Sequence, residues 1–295
     1  EEHLYPGLPA VMPLALVVSL EATAFDAVAM QDGWAALERV AALGYDGVEL
    51  AVRDPEEVEG ARLAERCAHL GLPVVALGTG QAYLHEGLAL AAADGAVRRM
   101  ARERLLQHVR LASVLNAVPG APSAGVQVIV GLIRGRAGEA RGQAERWLRE
   151  GLRPVLEAAG EAGTGVVLEP VNRYESDWLN TLEETAAFIE QIGHPRLGLL
   201  ADTFHMNIEE RSIEESLRSV AGYLRHVHVA DSNRRPPGLG HLDFRRILQV
   251  LREAGYHGYL SAETLPYPDT LGAARQTITY LRSLQADMQE RRGIS

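Results

Sequence analysis

A chain of 295 residues holds either two average domains or one closed α/β barrel of about 250 residues, and 47% hydrophobic against 23% charged residues are ordinary values for a chain with a large core. Twenty-nine basic against 39 acidic residues give a net charge of −10, and no basic block is interleaved with aromatics, which argues against a nucleic-acid partner that would rely on phosphate neutralisation. No apolar run reaches the ~18 residues of a membrane span, and the single cysteine, Cys67, excludes an internal disulfide and suits packing on a helix, so no membrane partner and a cytoplasmic location are expected.

The pattern then alternates short β-type runs with longer helical ones. Pro13–Leu20 is apolar but follows Glu1 and Glu2 rather than the basic start of a secretory signal, so it reads as the first strand, Leu14–Ser19. In chain order the pattern predicts a helix over Trp34–Leu43, a strand over Gly47–Leu50, a helix over Glu56–Leu70 and a strand over Pro73–Leu77. It continues with a helix over Ala96–Leu115, a strand over Val126–Leu132, a helix over Ala144–Ala159 and a strand over Gly165–Glu169. The predicted remainder is helix Leu182–Ile192, strand Leu197–Ala201, helix Ile213–Val220, strand His226–Ala230, helix Phe244–Ala254, strand Tyr259–Ala262 and helix Leu271–Met288. The last helix carries Leu271, Ala274, Ile278, Leu281 and Leu284 on one stripe. Glycines at 44, 71, 160, 193 and 255 are expected to stop five of the helices, each shortly before an apolar run.

Four residues in the C-terminal half end such runs: Glu169 in GVVLEP, Asp202 in LGLLAD, His228 in RHVHVAD and Glu263 in YLSAE, at intervals of 33, 26 and 35 residues. Each interval is about one strand–helix unit. Taken alone, Glu169 suits the start of a solvated loop, Asp202 a helix N-cap and His228 a satisfied core position. Together, at equivalent points of consecutive units, they describe ligands converging on one mouth. Strand ends converge in this way in a closed barrel and spread apart in an open sheet, so a (β/α)8 TIM barrel is predicted, as one domain over residues 1–295. Three carboxylates and an imidazole suit Mn²⁺, Mg²⁺ or Co²⁺ better than thiophilic metals. Glu169 and Glu263, on strands 5 and 8, can serve as base and acid on opposite faces of one carbon while the cation stabilises an enediolate. That chemistry fits epimerisation or isomerisation of an α-hydroxy ketone. No Walker-type loop and no GxSxG elbow offers a competing site.

The segments LEPVNRYESDWLN (168–180), ADTFHMNIEE (201–210), HVHVADSNRRPPGLGHLDF (226–244) and GYLSAETLP (258–266) resemble the ketose 3-epimerases of the D-tagatose/D-psicose type. More broadly they resemble the xylose-isomerase-like barrels of the sugar phosphate isomerase/epimerase family. The resemblance implies that Glu169, Asp202, His228 and Glu263 are the metal ligands and that Glu169 and Glu263 double as the catalytic pair. It further implies that Glu175, His205 and Arg234 bind substrate oxygens around C1–C3, that the substrate is a small sugar or sugar derivative, and that the chain assembles as a homodimer or homotetramer.

The N-terminal half lacks the aromatic pocket of the sugar epimerases, and strand 4 ends in GLIRGR. Arg134 and Arg136 there are candidates to hold a carboxylate or phosphate on the substrate, against the plainer reading of surface ion pairs. Beside 3-epimerisation, the same metal site would serve an aldose–ketose isomerase, or a lyase or dehydratase acting on a keto-sugar or keto-inositol. An endonuclease-IV-like repair enzyme would need a three-zinc cluster with more histidines and a basic face. A non-catalytic binding barrel would have no use for an intact four-ligand set.

Overall fold

The computed structural model describes residues 11–23, 26–28 and 30–290. Eight parallel strands close into a barrel in sequence order: β1 (Leu14–Ser19), β2 (Gly47–Ala51), β3 (Val74–Gly78), β4 (Gln127–Val130), β5 (Gly165–Leu168), β6 (Leu197–Asp202), β7 (Leu224–Val229) and β8 (Leu260–Ala262). Around them lie α1 (Trp34–Ala42), α2 (Gly60–Leu70), α3 (Gly80–Glu86), α4 (Gly95–Leu115), α5 (Arg141–Glu161), α6 (Leu182–Ile192), α7 (Thr203–Glu209), α8 (Ile213–Ser219), α9 (Phe244–Glu253) and α10 (Thr270–Glu290). The predicted barrel is therefore the observed one. Among the described residues no helix is long and apolar enough to cross a membrane.

Alternation along each strand splits the core in two. Leu14, Leu16, Val48, Leu50, Leu199 and Val227 pack outward against the helices, Cys67 among them, fully buried on α2. Ala15, Val75, Ala76, Ile129, Val167 and Leu200 fill the barrel interior, with Tyr259 packed against them. This apolar interior lies below the strand C-termini, so polar side chains delivered to those ends stand on a dry floor.

Three local departures from the sequence pattern have physical causes. The helix predicted over 56–70 is broken: Asp54 accepts the N–H of Glu56 to start a short 3₁₀ turn at Pro55–Glu57, Val58 is extended, and α2 begins only at Gly60. Gly60 fits there because a Cβ would stand 3.0 Å from Leu111 Cδ1. The glycine at 160 does not stop α5, which runs through it to Glu161, and Gly163, at φ 65°, takes that role. Strand β4 ends at Val130 rather than 132, and Leu132–Arg134 turn as a 3₁₀ segment. The short helices α3 and α7 are not legible as periodic runs because each is only seven residues long.

Candidate metal centre and active site

The register of the barrel explains how the four predicted ligands meet. Asp202 pairs laterally with His228 across β6 and β7, and His228 pairs with Ser261 of β8, so Glu263, two residues on, points inward one layer higher. Glu169 follows the last residue of β5, and its N–H is held by the carbonyl of Val130. All four side chains are buried, and their ligand atoms lie within 4.8 Å of one another. His228 Nδ1 stands 3.5 Å from Glu169 Oε1, 3.6 Å from Asp202 Oδ2 and 4.0 Å from Glu263 Oε1.

These separations are too long for good hydrogen bonds, yet two of the atoms are sealed from water without a partner: Asp202 Oδ2 and His228 Nδ1. Orphaned buried polar atoms are rare and call for an explanation. A divalent cation with bonds of about 2.1 Å would bridge donors at this spacing, and three carboxylates with one imidazole match its chemistry. The residues present therefore fit a metal ion. Asp202 is a helix N-cap, and that role uses only one of its two oxygens. Its Oδ1 accepts the N–H groups of Phe204 and His205 to start α7, which leaves Oδ2 for the cluster.

Charge is distributed unevenly across the cluster. Burial pushes the Glu263 carboxyl up, with Glu169 and Asp202 adding to the effect, to about 8 despite the opposing His228 and Arg234. Burial would raise Asp202 as well, but His205 and His228 outweigh it and bring it down to about 2. The His228 imidazole is held well above its usual range: burial opposes its charge, but Glu49 above all, then Asp202, Glu169 and Glu263, favour it.

The three residues expected around the substrate gather at the same mouth. Arg234 donates to Glu175 Oε1 at 3.1 Å and to Glu263 Oε2 at 3.0 Å. His205, 2% exposed, accepts the backbone N–H of Asn172 on Nδ1 at 3.3 Å. That bond leaves the ring proton on Nε2, which faces Glu169 Oε1 at 4.0 Å. Arg234 adopts φ 60°, uncommon for a residue with a Cβ. Its loop is organised by buried Asp231, whose carboxylate accepts the N–H groups of Ser232, Gly238 and Leu242. Thr79, Gln81 and Ile129 line the far wall of the cleft. A roomier hollow at the opposite end of the barrel, beside Arg225, His257 and Tyr259, is remote from the carboxylates.

Arg134 is not an anion holder, and the expectation for it is corrected. The Arg134 guanidinium is buried and donates to the carbonyls of Gly131, Glu169, Trp178 and Leu179 at 2.8–3.2 Å. Arg136 donates to the carbonyls of Tyr174 and Glu175. Both arginines fasten the segment after β5 onto the end of β4. The 3₁₀ turn at 132–134 is what redirects Arg134 inward.

Sequence reasoning missed Glu49, 1% exposed in the middle of β2 and bonded to His226 and His228. The available signal was an acid inside GVELA at an inward position. It also missed Asn172, which donates its side-chain amide to Glu175 Oε1, and Gly131, where a Cβ would stand 2.4 Å from Glu169 Oε2.

A closed barrel of eight parallel strands with a buried carboxylate–imidazole cluster at the strand C-termini has the architecture of an enzyme of the TIM-barrel class. The profile of the xylose isomerase-like TIM barrel family matches residues 37–284, and the chain belongs to that family. The L-ribulose 3-epimerase of Mesorhizobium japonicum is 38% identical over 75% of this chain and 71% of its own length. The D-psicose 3-epimerase of Agrobacterium fabrum is 31% identical over 84% of each chain. A solved structure of an L-ribulose 3-epimerase superposes with a TM-score of 0.78 at 28% identity, covering 96% of this chain and 98% of that one. These relatives place the protein among isomerase-class enzymes, and specifically among epimerases.

Proposed function

We propose that the protein is a divalent-metal-dependent epimerase that inverts C3 of a ketose, with Mn²⁺ as its resident ion and Mg²⁺ or Co²⁺ as substitutes. One observation carries this reading. Glu169 and Glu263 share a buried cluster with Asp202 and His228, and two atoms of that cluster, Asp202 Oδ2 and His228 Nδ1, have no protein partner. When bound, the cation supplies positive charge beside the carbonyl and hydroxyl oxygens on which negative charge develops as the α-proton leaves. Glu169 and Glu263 approach from β5 and β8, so one removes the C3 proton and the other returns a proton to the opposite face. Arg234 fixes Glu263 through Oε2, and Asn172 and Arg234 fix Glu175 through Oε1. The His205 Nε2–H donates to a substrate oxygen, and Glu175 accepts from a substrate hydroxyl.

The sugar is uncharged. Arg234 is the one arginine lining the cleft among the described residues, and it is engaged by Glu175 and Glu263, while Arg134 is consumed by backbone carbonyls. The test is turnover of L-ribulose, D-psicose and D-tagatose in D₂O with Mn²⁺, followed by NMR. Product should carry deuterium at C3, and Glu169→Gln and Glu263→Gln should each lower kcat by at least about 10³-fold while the barrel stays folded. Unlabelled product would mean hydride transfer and defeat the two-carboxylate mechanism. A label at another carbon would reassign the reaction to an isomerase or a different epimerase.

A further inference from the structure

The barrel interior is mostly aliphatic, and Glu49 of β2 is one of the few charged side chains within it. Glu49 is 1% exposed and, among the described residues, has no arginine against its carboxylate. Its partners are two imidazoles from one face of β7. His226 Nε2 lies 2.8 Å from Oε2, and His228 Nε2 lies 3.0 Å and 3.1 Å from Oε1 and Oε2. The two rings meet edge to face, their centroids 5.4 Å apart. An ionised acid in this position costs several kcal/mol unless its partners hold it. The proposed mechanism uses neither Glu49 nor His226.

The geometry of His228 shows what the arrangement achieves. Its Nε2 faces Glu49, while its Nδ1 faces Glu169, Asp202 and Glu263 and has no hydrogen-bond partner. An imidazole that donates from Nε2 presents its Nδ1 lone pair in a fixed direction. We propose that Glu49 is a positioning residue of the metal centre. It anchors the Nε2–H of His228 so that Nδ1 points at the ion, and His226 clamps the other side of the Glu49 carboxylate from below. The inference rests on the reading that Glu169, Asp202, His228 and Glu263 hold a divalent cation. Glu49, His226 and His228 also have ligand-like spacing, but their facing atoms already satisfy one another at 2.8–3.1 Å, unlike the atoms of the upper cluster.

Glu49→Gln keeps the size and one acceptor of the side chain, Glu49→Asp keeps the charge at shorter reach, and Glu49→Ala is avoided because it strands two buried imidazoles. The first measurement is Mn²⁺ binding by titration calorimetry on the intact chain. Loss of an outer partner of a metal-bound histidine typically weakens the metal 10–100-fold, so Glu49→Gln should raise Kd by that factor and Glu49→Asp by less. The second is ¹⁵N-edited NMR of His228 in metal-free and Mg²⁺-loaded protein. The Nε2–H proton should be slowly exchanging and far downfield in the wild type, and shifted upfield in Glu49→Gln. A purely structural Glu49 would lower Tm in both variants and leave the Mn²⁺ Kd and the Nε2–H signal of Glu49→Gln at wild-type values, which overturns the proposal. Two ions per wild-type chain, with one lost in Glu49→Gln, would overturn it in favour of a second metal site. If the wild type bound no ion, the metal reading would fall instead, and the Nε2–H signal of the metal-free protein would still judge Glu49.

Discussion

At the scale of single residues, the catalytic geometry depends on an atom that is missing. Gly131 follows β4, and a Cβ there would lie 2.4 Å from Glu169 Oε2, so the carboxylate of one of the two proposed proton carriers occupies space that only glycine leaves. Gly131→Ala should displace Glu169 by about an ångström and lower kcat on the order of 10²-fold, with little change in Tm. Kinetics and a melting curve on the same preparation would check this. Protonation gives a second prediction. Glu263 sits at about 8 in the metal-free fold, above the ordinary 4.5, because of burial and then its acidic neighbours. The native state binds this proton more tightly than the unfolded chain does. Its contribution to metal-free stability is therefore complete below about pH 4 and is lost as pH rises through about 8. A cation must displace that proton, so Mn²⁺ affinity should run the other way and rise at least about tenfold between pH 6 and pH 8. Calorimetry in buffers of different ionisation enthalpy would count the protons released. A Kd independent of pH would place Glu263 outside the coordination shell.

At the scale of elements, the segment after β5 is a shelf rather than a loose loop. Arg134 holds it through the carbonyls of Glu169, Trp178 and Leu179, Trp178 Nε1 donates to Gly135 O at 2.8 Å, and Asp177 accepts the N–H groups of Ala137 and Gly138. Glu175 and Asn172 are thereby presented to the mouth from a fixed base. Arg134→Ala would orphan several buried carbonyls and should cost at least about 2–3 kcal/mol in urea unfolding. Arg134→Lys should recover part of this, since an ammonium cannot reproduce a planar fork. Neither change should alter the proposed preference for neutral over anionic sugars, as measured by KM for the two classes. The sequence showed two arginines at a strand end. It could not show that a 3₁₀ turn would aim one of them at the backbone, because that depends on where the 170–180 segment packs.

At the scale of the whole molecule, the barrel keeps three carboxylates and an imidazole together in a buried ring. On the reading proposed above, a cation held by this ring would stabilise the fold. Mn²⁺ at 100 times its Kd should add about 2.7 kcal/mol. For a chain of 295 residues that is roughly 4 °C in Tm. EDTA should reverse the shift while far-UV circular dichroism stays constant, since the ring stands on an apolar floor of Ala15, Ile129, Val167 and Leu200 that needs no metal. A Tm indifferent to Mn²⁺ would remove the cation from the proposed function.

The sequence alone determined the repeating order of strand and helix, because period-2 and period-3.6 burial are local properties of the chain. It also determined the four residues at the ends of strands 5 to 8, because equivalent positions in successive units of a closed barrel converge whatever the loops do. Tertiary structure decided the roles that depend on partners distant in sequence. Glu49 reaches His226 and His228 across 177 and 179 residues, Asn172 reaches His205 across 33, and Arg134 reaches Leu179 across 45. A side chain's chemistry is written in its own position, but burial, protonation and orientation are set by what the fold places against it.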